Sequence, residues 1–118
     1  MKIREVSELL DARVLCRGDL LDTEVYSACG SDMMSDVLAY VKDRAVLLTG
    51  LVNPQVVRTC EMMDMCCVVF VRSKLPTDEM VTLADRLGIV VLATEMRMYE
   101  ACGRLYSGGL NPNGAVHE

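Results

Sequence analysis

The stretch from Ala45 to Val71 constrains the fold more than any other part of the chain. A short apolar run, Val46 to Leu48, ends in Thr49-Gly50. A turn follows, Asn53-Pro54 opens a helical pattern, and a second apolar, β-branched run begins at Cys66. Strand, turn, helix and strand in that order make the unit from which parallel sheets are built. Asn53 reads as the cap of the helix and Pro54 as its first residue, where a missing N–H is harmless. Val56, Val57, Cys60 and Met63 share one face of a helix over 54–64. The run from Cys66 to Arg72 shows no polar alternation, as expected of a strand covered on both faces.

The same pattern recurs downstream. Pro76-Thr77-Asp78-Glu79 starts a helix with a capping Thr and two acids at its positive end. Met80, Ala84 and Leu87 point inward, and Gly88 closes the helix. Ile89 to Ala93 is a third buried strand. Thr94 caps a last helix whose Met98, Ala101, Cys102 and Leu105 share a face, and Gly108-Gly109 stops it. Upstream, Ile3, Val6, Leu9 and Leu10 give a helix over 3–10, and Arg13–Cys16 and Glu24–Cys29 are candidate strands. Ser31 or Asp32 caps a helix over 33–42 with Met34, Val37, Leu38 and Val41 as its stripe, and Asp43-Arg44 turns into the central strand. The expectation is an α/β fold, a small and mostly parallel sheet with helices on both faces and right-handed crossovers between its three central strands. Residues 1–107 are expected to form a single domain and 108–118 a flexible C-terminal tail.

Charge and length narrow the function. The chain has 118 residues and a net charge of −5, with its basic residues scattered, which excludes a nucleic-acid partner. No apolar run approaches the ~18 residues of a membrane helix. The opening MKIREVSELL has no apolar export segment, so a cytoplasmic location is expected. Six cysteines without an export signal read as free thiols, and the single His, His117, falls in the tail.

In open parallel sheets, ligands bind beyond the carboxyl ends of the strands, at a switch point in the topology. Those ends here are Leu48-Thr49-Gly50, Val71-Arg72-Ser73 and Ala93-Thr94. Thr49, Gly50, Asn53, Ser73 and Thr94 are candidates for one rim, with the helix opening at Asn53 offering N–H groups to an anion. The plainer reading makes Thr49 and Thr94 caps and turn residues. Ser31 and Asp32 add a hydroxyl and a carboxylate. Asp32 and Asp36, four apart, suit a shared metal or proton, yet no further ligand accompanies them and capping explains both. Cys66 and Cys67 point to opposite faces of a strand and do not clamp a metal together. Neither a dinucleotide fingerprint nor a P-loop is present, and no nucleophile has an adjacent base. No catalytic residue, metal or cofactor is therefore predicted. The apolar turn Leu51-Val52 and the outward Tyr99 and Tyr106 are candidates for an interface.

Leu47-Leu-Thr-Gly50 entering a helix, Val68–Val71, and Leu92-Ala-Thr94 before the last helix resemble a DRTGG domain. Met1–Leu10, Arg13–Cys16, Gly30-Ser-Asp32 and Met34–Leu38 extend the resemblance over about residues 1–107. It implies an α/β domain akin to the N-terminal domain of HPr kinase/phosphorylase. Such domains accompany CBS pairs in regulated family II pyrophosphatases and occur in phosphotransacetylases, in a regulatory or dimerising role. At its turn the chain reads Thr49-Gly50-Leu51-Val52, without the acidic–basic pair of the family's motif. The expected function is a non-catalytic regulatory or protein-interaction module that forms a homodimer, contacts a partner protein and senses a small ligand. The alternative is a sensor for a nucleotide or other anion at the Thr49-Gly50/Asn53 turn.

Overall fold

A five-stranded mixed sheet forms the centre of the computed structural model, which describes residues 1–40 and 44–110, the side chain of Tyr40 excepted. In chain order the elements are α1 (Ile3–Leu9), β1 (Arg13–Cys16), β2 (Ser27–Gly30), α2 (Met34–Tyr40), β3 (Ala45–Thr49), α3 (Pro54–Met62), β4 (Cys67–Phe70), α4 (Asp78–Leu87), β5 (Val90–Ala93) and α5 (Met98–Ser107). The strands lie in the order β1-β5-β4-β3-β2, with β2 to β5 parallel and β1 antiparallel to β5. The expectations for Val41, Lys42 and Asp43, for the Tyr40 side chain, and for 111–118 with His117 fall outside the described residues.

Every residue of β3, β4 and β5 is buried, because helices cover both faces of the sheet. Leu47, Val68, Phe70 and Val91 face α2, α3 and α4. Val46, Leu48, Cys67, Val69, Val90 and Leu92 face α1 and α5. Side chains alternate along a strand, so each three-residue step contributes to two cores at once. The caps sit where local chemistry puts them. Asn53 accepts the Gln55 N–H at 2.8 Å, Thr77 accepts that of Met80 at 3.2 Å, and Gly88 ends α4 at φ +72°.

Three sequence expectations are corrected. The parallel run has four strands, since β2 pairs with β3 from Ser27↔Ala45 to Gly30↔Leu48. The segment read as a strand over 24–29 divides, with Glu24 bridging Lys2 and the strand itself starting at Ser27. Close contact with α5 explains Gly30, where a Cβ would come within 2.6 Å of Cys102 Sγ. The last helix begins at Met98 rather than directly after Thr94. Arg97 is its extended flanking residue, and the Thr94 hydroxyl is engaged elsewhere. At the C-terminal side, Leu110 is buried among residues of α1 and α5, and its N–H donates to the Leu105 carbonyl at 2.9 Å.

Candidate ligand site

The connections after β3 and β4 lead to helices on one face of the sheet, and the connection after β5 leads to α5 on the other. Loops leaving in opposite directions separate, so the carboxyl ends of β4 and β5 form the switch point of the topology. Two arrangements occupy this end of the molecule.

The first is a polar clasp around Thr49-Gly50. Asp32 Oδ1 accepts the Gly50 N–H at 2.7 Å and the Thr49 hydroxyl at 3.0 Å. The Thr49 oxygen in turn accepts the Leu51 N–H at 3.1 Å. Arg72 Nη2 donates to Asp32 Oδ2 at 3.3 Å, with both side chains 45% exposed. Asp32 is thus anchored by its inner oxygen and Arg72 is attached by a single longer contact. Gly50 permits this, because a Cβ there would run into the Arg72 guanidinium. Ser31 holds the approach to α2, with its N–H on the Leu48 carbonyl and its hydroxyl accepting from Met33 N–H at 2.9 Å.

The clasp brings together Ser31, Asp32, Thr49 and Gly50, four of the six ligand-binding candidates. Asn53 stands a turn further on and is occupied as the α3 cap. Thr94 belongs to the second arrangement. Asp36 has no hydrogen bond or ion pair through its side chain among the described residues, and no three His, Cys, Asp or Glu groups there could hold a metal.

The second arrangement is a cleft of about 600 Å³ lined by Leu10, Asp11, Arg13, Ser73, Leu75 and the segment 93–96. Because β1 is antiparallel, its first residue lies beside the last of β5, Arg13 opposite Ala93. The chain leaving α1 therefore passes over the end of β5 and walls the cleft. Thr94 fastens that wall, its buried hydroxyl donating to the Leu10 carbonyl at 2.7 Å. On the far wall, Arg72 and Ser73 both adopt left-handed backbone at φ +59°, and Asp11 does so at φ +49°. Their N–H groups tie the two loops together, Arg72 to the Met96 carbonyl and Ser73 to that of Thr94.

Sequence reasoning did not single out Arg72 as a site residue, nor Asp11, Arg13 and Glu95. The available signal for Arg72 was its place as the first charge after the buried β4 run, at a strand's carboxyl end. The interface candidates separate. Leu51 is half-buried against the α2–α4 side and Val52 is exposed, whereas Tyr99, 93% exposed, and Tyr106, 53% exposed, stand on α5 on the other side. The six thiols are free, and burial pushes each of them up, Cys60 to about 12. Such thiols are poor nucleophiles near neutrality.

No family model and no curated protein sequence matches the chain. Its structure is similar to the crystal structure of the CBS and DRTGG domains of the regulatory region of Clostridium perfringens pyrophosphatase, complexed with the activator diadenosine tetraphosphate. The TM-score is 0.72 over 88% of this chain, at 11% sequence identity. The chain has a DRTGG-like fold. It spans 45% of the length of that solved chain. The Asp32–Arg72 ion pair lies against the Thr49-Gly50 turn, joining the loops after β2 and β4.

Proposed function

We propose that this DRTGG-like domain is a non-catalytic regulatory module that senses a small anionic ligand, with a nucleotide as the first candidate, at the Asp32–Arg72 clasp. The observation that carries the reading is the Arg72 guanidinium, held at the sheet's carboxyl end by one 3.3 Å contact to a half-exposed carboxylate. A phosphate or carboxylate of a ligand offers the guanidinium a second partner of the same chemistry, in bidentate geometry. Arg13, Arg72, Lys74 and Arg97 in the segments bordering this rim outnumber Asp11, Asp32 and Glu95, in a chain whose net charge is −5. The similar solved structure is a regulatory region complexed with a nucleotide activator, which supports the same reading. A module without its own chemistry transmits binding through contacts, and self-association with a further protein partner is the proposed output.

Thermal unfolding with nucleotides, diadenosine polyphosphates and inorganic phosphate tests the sensor. A saturating ligand at ~100 times its Kd adds about 2.7 kcal/mol, a readily measured rise in Tm. The rise is expected in the native chain and not in Arg72→Ala. A panel that moves neither protein overturns the reading. Light scattering tests the output, and a strict monomer with and without ligand rejects self-association.

A further inference from the structure

The sheet has two edges, and the sequence treats them differently. An open edge is a row of unpaired N–H and C=O groups, a template for a further strand. At β1 it is blunted by the charge of Arg13 and by a register shift between Val14 and Cys16. At β2 nothing blunts it. Ser27-Ala28-Cys29-Gly30 carries no charge and no Pro, and its register against β3 is unbroken. The Ser31 N–H donates to the Leu48 carbonyl, so by alternation Cys29 also faces β3, and the N–H and C=O groups of Ala28 and Gly30 point outward. The helix α5 flanks this edge, lying over β2 and β3 with Met98 and Cys102 against Gly30. Tyr99, Cys102 and Tyr106 follow at helical spacing on one face, and both rings are exposed. Beside them Gly103 is open, with no atom within 4 Å of where a Cβ would stand.

We propose that a second copy of this chain docks here, its β2 pairing antiparallel with this β2 so that the two sheets become one. The proposal rests on the self-association argued above and names its surface. Symmetry selects a second copy over an extended peptide. A two-fold axis at Cys29 pairs Ala28 of each copy with Gly30 of the other. Cys102 sits over Gly30, one position from that axis, and the midpoint of Tyr99 and Tyr106 falls between Cys102 and Gly103. The same axis therefore sets Tyr99 of each copy beside Tyr106 of the other, with Gly103 giving room where the helices cross. With strands about 4.8 Å apart and α5 centred between β2 and β3, the two α5 axes stand about 10 Å apart, a normal helix packing distance. The tyrosine face carries no charge of its own, and the neighbouring Glu100 and Arg104 pair with each other, so two copies meet without like-charge cost. A peptide on the edge would leave both tyrosines in water.

Sedimentation equilibrium of the full chain from micromolar to millimolar concentration, with amide hydrogen exchange, tests the proposal. A monomer–dimer equilibrium is expected, weakened more than about tenfold in Gly103→Arg, which sets like charges against each other at the axis. Open space at Gly103 lets the variant fold, which circular dichroism confirms, and Leu75→Arg in the loop after β4 leaves the dimer unchanged. The Ala28 and Gly30 amides are expected to exchange slowly in the dimer and fast in monomeric Gly103→Arg, while the Cys29 amide, bonded to β3, stays slow in both. A dimer that survives Gly103→Arg, or one in which Ala28 and Gly30 exchange as fast as in the monomer, overturns this surface and leaves self-association standing. A strict monomer overturns both and hands the edge to another occupant, with the anion clasp untouched.

Discussion

Asp32 and Gly50, 18 positions apart, are joined by a 2.7 Å hydrogen bond from backbone amide to carboxylate that closes the turn after β3. The same carboxylate is the internal partner of Arg72, so one residue serves both the fold and the proposed anion site. Those two roles separate on mutation.

Asp32→Ala leaves the Gly50 amide and the Thr49 hydroxyl without their acceptor in a partly buried turn. A loss of about 1–3 kcal/mol is expected in urea unfolding. Asp32→Asn keeps an oxygen for Gly50 and loses less. Its effect on ligand binding runs the other way, because the substitution removes the charge that competes for Arg72. Nucleotide or phosphate affinity should rise several-fold in Asp32→Asn while stability falls. If affinity falls together with stability, Asp32 is not the ligand's competitor.

The Thr94 hydroxyl supplies the bond that ties the end of α1 to the end of β5. Thr94→Val is close in shape but leaves the buried Leu10 carbonyl and the Met96 N–H without it. A loss of about 1–3 kcal/mol is expected, with Thr94→Ser retaining most of the native stability. Equal losses in the two variants would show that the γ-methyl, not the hydroxyl, carries the effect.

The strands were legible because β3, β4 and β5 are buried on both faces, and such strands show as unbroken apolar runs. The caps at Asn53 and Thr77 were legible because capping is local chemistry. Legibility ended where a residue's partner is remote in sequence. Asp32 looks like an N-cap from its neighbours, and nothing local says that its carboxylate turns back to Thr49 and Gly50. Thr94 looks like a cap for the same reason, yet its hydroxyl goes to Leu10, 84 positions away. The parallel pairing of β2 was hidden by its small residues, Ser27, Ala28 and Gly30, which suit close packing under α5 and carry little strand signal. The α/β character implied by the family resemblance matches the solved structure in fold.

Buried thiols make stability fall on the alkaline side. Burial raises Cys60 from 9.0 to about 12, with neighbouring Cys66 adding to the rise, and Cys67 goes well above its ordinary value for the same first cause. Above pH 9 the unfolded chain releases these protons and the folded chain keeps them, so the folded state binds more protons and stability must decrease with pH. The contribution is complete below pH 9 and is lost as pH climbs toward about 12. Each such thiol adds a slope of about 1.4 kcal/mol per pH unit within that window. Urea midpoints measured upward from pH 8 should fall, and Cys60→Ala should flatten the decline despite a lower starting stability. A native and a Cys60→Ala curve of equal slope would contradict the assignment.

Arg72 and Ser73 hold two consecutive left-handed residues at φ +59° without glycine, at the loop that divides the clasp from the cleft. Left-handed backbone disfavours a residue with a Cβ by roughly 1–2 kcal/mol, and glycine avoids that penalty while giving up conformational entropy in the unfolded chain. The Ser73 side chain has no hydrogen bond among the described residues, so only backbone terms change on its replacement. Ser73→Gly is therefore expected to leave stability unchanged or raise it by up to about 1 kcal/mol. Arg72→Gly relieves the same strain but deletes the guanidinium, so it should match Ser73→Gly in stability to within about 1 kcal/mol, the range of an exposed ion pair, and lose the response to anions. Loop strain retained for ligand geometry predicts one more difference. In Ser73→Gly the loop gains freedom, and anionic ligands at the clasp should bind more weakly although the protein is no less stable. Unaltered affinity in a stabilised Ser73→Gly would mean that the left-handed pair is a consequence of tying the two loops together at Thr94 and Met96, with no part in recognition.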